Sequence, residues 1–312
     1  MIFSLLLFFP VNIDSAILKG MDAAYREHFN KAESLFLYVK KNMKGHPVGY
    51  FLLSSLYELE YIDDGIEEKK EKFNAYADSG ERIGENYINR NPQDALGYFF
   101  TGGIYTIQVF YFGLNGDYLK AVIKALPALD NLSKCIKIDS TIYDAYLGLG
   151  GYNYFKGFFP FVGGAKEEGL RQISLAINKG RYTRNLASIG LANIYIREKK
   201  YEQARVILRN LLKRYPDSRT INWPIFTSFF EEGKMDSALF YSDRLLELSN
   251  SNEYCFLQAS YFKAKILLKE KRCRETFEFL SQIKANGPFV DWKKKLINLR
   301  NDAEKCLGKE KR

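Results

Sequence analysis

The sequence predicts an all-α chain built as an array of antiparallel helix hairpins. Three observations predict it. Apolar and small residues recur in steps of three and four along most of the 312 residues, the spacing that lines one face of a helix. The same pattern of large, small and aromatic positions returns several times between residues 16 and 290. Strand signals are nearly absent. At 46% hydrophobic and 15% aromatic residues, the chain has ample material for a core of stacked helices with large knobs.

The clearest hairpin is Gly190 to Pro216. Leu191, Ala192, Tyr195, Tyr201, Ala204, Leu208, Leu211 and Leu212 share one face of each of two helices. Glu198-Lys199-Lys200 supplies a polar turn between them, and Pro216 ends the second helix. Ala192 and Ala204 are small where two helix axes must approach.

Laid along the chain, this spacing divides it. Residues 1–15, MIFSLLLFFPVNIDS, hold a short apolar block, Ile2 to Phe9, followed by Pro10. The block is too short to span a bilayer, which needs about 20 apolar residues. It fits the core of a secretory signal cut after Ser15, although no Lys or Arg precedes it. The alternative is the first buried helix of the array. In residues 16–184 the repeats are irregular. Gly20, Phe29, Ala32 and Phe36 carry the pattern in the first hairpin. Val48 to Tyr61 and a helix ending near Asn89 form a longer second one. In the third, Asn115-Gly116-Asp117 is a turn, and Pro127 is expected to open a new helix, leaving Tyr118 to Leu126 as an inserted one. Pro160 and Gly163-Gly164 break the fourth before a helix at Ala165 to Asn178. Residues 185–290 hold regular repeats at 185–218, 219–252 and 257–290. Residues 291–312 form a terminal helix, with Trp292, Leu296, Leu299, Ala303 and Leu307 on one face and a basic tail.

Leu191, Ala192, Tyr195, Tyr201, Ala204, Leu208 and Pro216 stand at the spacing of the 34-residue tetratricopeptide repeat, and the chain resembles that family over nearly its whole length. The resemblance implies a right-handed superhelical solenoid closed by a C-terminal capping helix whose outer face is polar. It also implies a non-catalytic scaffold, whose first helices line a groove for a protein or peptide partner. Asn193, Tyr195, Arg197 and Asn222 are candidate groove residues by their position on those helices.

The stretch Tyr143 to Gly164 is dense in glycine and aromatic residues. Gly148, Gly150 and Gly151 let a neighbour come close to the helix. Tyr152, Tyr154, Phe155, Phe158, Phe159 and Phe161 are too many for one narrow face, so they are candidates for lining an apolar ligand site or a peptide-binding patch. Tight packing between helices is the other reading. This stretch, with Glu168-Gly169-Leu170, is also similar to the tetratricopeptide-like inclusion-body-clearance proteins, which are linked to lipid bodies.

Little in the sequence points to chemistry. His28 and His46 have no partner at metal-ligand spacing, and neither HExxH nor GxSxG occurs, so no metal, cofactor or catalytic residue is assigned. Gly163-Gly164-Ala165-Lys166 lacks the spacing of a phosphate loop, and Glu167-Glu168 would repel phosphate there. The acidic pairs Asp63-Asp64, Glu167-Glu168 and Glu231-Glu232 diverge by about 100° on a helix and make poor shared-proton pairs. Cys135, Cys255, Cys273 and Cys306 contain no CxxC; buried thiols are the simple reading, and a Cys273–Cys306 disulfide fits an exported protein. Residues 181–312 carry 27 Lys and Arg against 16 Asp and Glu, so the basic balance lies in the C-terminal part. No nucleic-acid-binding module accompanies it. The expectation is a scaffold for a protein or peptide, exported to the periplasm or envelope, with a carrier of an apolar small molecule as the alternative and a cytoplasmic scaffold as the other location.

Overall fold

A computed structural model describes residues 10–157, 164–249, 251–283 and 288–310. Among the described residues every regular element is helical. The chain divides into two compact units: residues through Ile62 with Ile66–Leu191, and Asp63–Gly65 with Ala192 onward. The first holds α1 (Val11–Tyr25), α2 (Phe29–Asn42), α3 (Val48–Asp64), α4 (Glu67–Arg90), α5 (Ala95–Leu114), α6 (Tyr118–Ile138), α7 (Tyr146–Lys156), α8 (Ala165–Lys179) and the start of α9 (Arg184–Arg197). The second continues through α10 (Tyr201–Leu212), α11 (Arg219–Glu232), α12 (Met235–Glu247), α13 (Glu253–Lys269), α14 (Cys273–Gln282) and α15 (Val290–Glu310).

Five of the hairpin turns share one geometry. The amide N–H groups of His28, Asp117, Lys200, Lys234 and Arg272 each donate to the carbonyl five residues earlier, at 2.8–3.0 Å. The residue before each donor is left-handed: Glu27, Lys199 and Lys271 at φ 60°, Gly116 at 76° and Gly233 at 83°. This is the Schellman ending, which satisfies late helix carbonyls and reverses the chain. It recurs where the sequence spacing placed turns, including Glu198-Lys199-Lys200.

In the first unit Phe51, Phe99 and Phe100 form a buried aromatic knot, with Phe51 and Phe99 ring centroids 5.3 and 4.7 Å from that of Phe100. The helices α7 and α8 cross backbone to backbone. A Cβ on Gly150 would lie 2.8 Å from the Gly169 carbonyl oxygen, and one on Gly169 would lie 2.6 Å from that of Gly150.

Two buried carboxylates clasp the ends of this unit. Asp144 accepts from the amides of Arg181, Tyr182 and Thr183 at 3.0, 2.7 and 2.7 Å, and from the Thr183 hydroxyl at 2.9 Å. Asp14, on α1, accepts from Arg181 Nε at 2.8 Å and Tyr182 Oη at 2.7 Å, and pairs with the Arg181 guanidinium. Burial opposes the Asp14 charge, but the bonds from Arg181 and Tyr182 and the Arg181 charge hold its pKa below the usual carboxylate value.

The structure bears on three sequence expectations. Pro127 does not split its segment: Tyr118–Ile138 is one helix with Pro127 inside. Proline leaves the Ile123 carbonyl without its helical donor, but Ile123 and Leu126 are 57% and 69% exposed, so water reaches that face. Residues 11–15 are not separate from the array. They begin α1, with Ile13 and Asp14 buried, and a cut after Ser15 would remove Asp14 from its clasp. The four cysteines do not behave alike. Cys135 and Cys255 are buried thiols, while Cys273 and Cys306 form a disulfide with Cα atoms 5.9 Å apart. That bond ties the capping helix α15 to the start of α14. Leu296 of α15 joins Leu257, Ala264 and Leu280 in the terminal core.

Candidate functional site

The second unit carries a face of aromatic rings topped by lysines. On α11, Trp223, Phe226 and Phe230 follow one another at steps of three and four. Phe262 of α13 sits among them, with ring centroids 6.0, 5.3 and 5.5 Å away. Tyr261 continues the row to Trp292 of α15, 5.7 Å distant. Phe226 is buried, whereas Trp223, Phe230, Tyr261, Phe262 and Trp292 are half-buried. Lys265 lies 5.7 Å from the Phe230 ring and 5.9 Å from the Tyr261 ring. Lys295 lies 4.0 Å from the Trp292 ring and 6.0 Å from the Tyr261 ring. Both lysines are exposed, and among the described residues neither forms an ion pair. Held over ring faces, their N–H donors remain open to an incoming group.

The other charged residues singled out in the sequence are spent on structure. Arg205 is 1% exposed; it bonds Glu202 at 2.8 Å and Glu232 at 2.5 Å, and covers the Phe229 ring. Its hydrogen bonds hold both carboxyls below their usual range. Glu168 makes a bidentate pair with Arg171. Asp63 accepts from Arg219 at 2.8 and 2.6 Å, within the second unit. His46 is buried; its Nδ1 accepts from the Val48 amide at 3.1 Å, and its ring stacks edgewise on Tyr87. Among the described residues no group of three or more His, Cys, Asp or Glu could hold a metal ion.

The predicted site residues scatter. Asn193 and Arg197 are exposed on α9, and Tyr195 is half-buried beneath Lys200. Asn222 is 2% exposed and gives its amide to the Ser218 and Pro216 carbonyls, so it offers nothing to a partner. Tyr154 is fully buried, while Tyr152 and Phe155 are 40% and 52% exposed. Phe158, Phe159 and Phe161 lie outside the described residues. The room expected at two of the α7 glycines is taken by protein, Leu132 and Thr106 abutting Gly148 and Gly169 and Ile173 abutting Gly150, while a Cβ at Gly151 would meet nothing within 4 Å among the described residues. Packing, the other reading of this stretch, accounts for those positions. The aromatic and lysine face was missed because its members come from three helices. The only trace in sequence was Trp292 beside the run Lys293-Lys294-Lys295.

Residues 187–218, which contain the α9–α10 hairpin, match the tetratricopeptide-repeat family model. That segment is a tetratricopeptide repeat. No curated protein matches it. Among solved structures, the chain is similar to a tetratricopeptide repeat protein from Parabacteroides merdae, at 12% identity over 93% of this chain and 99% of that one, TM-score 0.43. It is also similar to the human IFIT1 dimer with PPP-AAAA, at 13% identity over 90% and 74%, TM-score 0.49. A third is NprR in complex with its cognate peptide NprX, at 13% identity over 97% and 89%, TM-score 0.43. At TM-scores below 0.5 these likenesses carry no functional information.

Proposed function

We propose that this protein is a tetratricopeptide-repeat scaffold that binds an acidic peptide segment of a partner on the aromatic and lysine face of its second unit. The observation that carries the reading is the pair of exposed lysines, Lys265 and Lys295, each over aromatic rings and neither neutralised by an acid. Rings give a partner backbone flat apolar area at low entropic cost, and the ammonium groups select carboxylates. The excess of 27 basic over 16 acidic residues from 181 onward adds a long-range attraction of the same sign. Fluorescence anisotropy of a labelled hexaglutamate peptide tests it. Binding is expected to weaken at least tenfold in a Lys265→Glu/Lys295→Glu variant and to decline with added salt. Equal binding by the variant overturns the reading.

The scaffold is further proposed to work in an oxidising compartment, exported with Val11 and all that follows retained. The Cys273–Cys306 bond supports this, because such bonds persist outside reducing cytosol. Alkylation of denatured, unreduced protein from its own cells is expected to label two thiols, Cys135 and Cys255. Four labelled thiols would place the work in a reducing compartment.

A further inference from the structure

The first unit exposes an apolar tip. At the end of α5, Phe110 and Leu114 are 55% and 62% exposed. At the start of α6, Tyr118, Leu119, Val122, Ile123 and Leu126 are between 57% and 74% exposed. The five α6 residues fall within about 140° of helical arc. The opposite side of the same helix, with Ala128, Leu132 and Cys135, is buried in the unit. The segment YLKAVIKALPAL is thus apolar on both faces, and only one of them has a partner. Soluble monomers rarely keep a contiguous apolar patch of more than a few hundred Å² in water.

The shape and chemistry of the tip select its occupant. The two helices join through the three-residue turn Asn115–Asp117, closed by the Asp117 amide on the Phe112 carbonyl. A Cβ added at Gly113 or Gly116 would meet nothing within 4 Å among the described residues, so the tip stands clear. A protein interface carries roughly one hydrogen bond per 100–200 Å². Among the seven exposed side chains only the Tyr118 hydroxyl can make one. Charge points the same way. Between residues 95 and 129 the sole acid is Asp117, which caps α6 at the Lys120 amide and pairs with the Lys120 ammonium at 2.7 Å. Lys124 reaches Glu81 on α4, away from the tip, and Lys120 flanks the apolar face at 61% exposure. The outward face therefore presents hydrocarbon and one phenol, flanked by the Lys120–Asp117 ion pair. On α7, which seats on this hairpin through Gly148 against Leu132 and Thr106, Tyr152, Phe155 and Lys156 add exposed residues of the same kind.

We propose that the α5–α6 tip is a membrane-docking surface that buries Phe110, Leu114, Leu119, Val122, Ile123 and Leu126 in the interfacial layer of a phospholipid bilayer. Tyr118 and Lys120 stay at the headgroup level, where a phenol and an ammonium are both favourable. No helix of the described residues is long and apolar enough to cross a membrane, so the contact is with its surface.

Co-sedimentation of the full chain with vesicles of phosphatidylethanolamine and phosphatidylglycerol, at three to one by the preparation, tests this. The variant Leu119→Glu/Val122→Glu, which places two carboxylates on the apolar face, alters only exposed side chains and is expected to melt as the wild type does. Its partitioning is expected to fall at least tenfold. Ile297→Glu, on the 49% exposed apolar position of α15, is expected to leave partitioning unchanged. Equal partitioning of the double variant and the wild type overturns the proposal. So does a wild-type dimer in sedimentation velocity that the double variant disperses while neither binds vesicles, because the face would then belong to a second copy. The hexaglutamate assay reads the second unit alone, so failure of either proposal leaves the other standing.

Discussion

At the scale of single residues, two buried titratable groups set opposing pH dependences. Glu58 lies in the core of the first unit, and its Oε1 has no hydrogen-bond partner. Burial raises its pKa from 4.5 to about 8. The folded state keeps that proton after the unfolded chain has lost it, so the contribution of Glu58 falls as pH rises from 4.5 to about 8. His46 does the reverse. Burial lowers its pKa from 6.5 to about 4, against the pull of Asp94, so its contribution falls as pH drops from 6.5 to about 4. The slopes offset each other between 4.5 and 6.5. Above 6.5 Glu58 acts alone and costs about 1.4 kcal/mol per pH unit. Urea midpoints are expected to be level from 4.5 to 6.5 and to fall from there to 8 in the wild type. In Glu58→Gln they are expected to rise up to 6.5 and then stay level. A wild-type midpoint that does not move between 6.5 and 8 would mean Glu58 is not held neutral. The sequence placed His46 in a turn before Pro47 but said nothing of its burial, since Tyr87 and Phe100 reach it from other helices.

The helix hairpin was the most legible element, because its signals are local. Steps of three and four, a polar turn and a terminal proline lie within one window of sequence, and the regular repeats read from 185 to 290 correspond to α9 through α14. What local reading missed is conformational. Gly116 and Gly233 fill the left-handed turn position at little cost, but Glu27, Lys199 and Lys271 occupy it with a side chain. Nothing in the chemistry of Lys or Glu announces φ 60°. Lys199→Gly and Lys271→Gly are each expected to raise stability in thermal melts by about 0.5–1 kcal/mol, the relief of left-handed strain exceeding the extra freedom of the unfolded chain. Gly233→Ala is expected to cost about 1 kcal/mol for the same reason. Loss of stability on placing glycine at 199 would show that the lysine side chain holds its turn by contacts. Pro127 failed as a local signal for the converse reason. A helix with one face in water tolerates a missing N–H that a buried helix would not.

Over the whole molecule, long-range links decide what repeat spacing cannot. The candidate site belongs to this class. Phe230, Lys265 and Lys295 sit on three helices, and no sequence window contains them together. Of the groove candidates read from position within the repeat, Asn193 and Arg197 are exposed, whereas Asn222 is buried and its amide serves the turn before α11. The Cys273–Cys306 bond is a second long-range link. It closes a loop of 33 residues, worth about 3–4 kcal/mol through loop entropy. Reduction, or Cys306→Ser, is expected to lower the unfolding midpoint of the second unit, and an unchanged midpoint in reductant would show that the packing of α15 suffices. The Asp14–Arg181 clasp has the widest reach, joining residues 167 apart within the first unit. A solenoid normally gains stability from each neighbour in turn. Here the biosynthetic order matters instead. The ribosome delivers α1 first and its guanidinium 167 residues later, so the carboxylate of Asp14 stays in water through most of the synthesis of the unit it will seal. A helix made early in the unit is thus among the last to be locked, and a chain released before Arg181 leaves α1 unsealed for quality control to find.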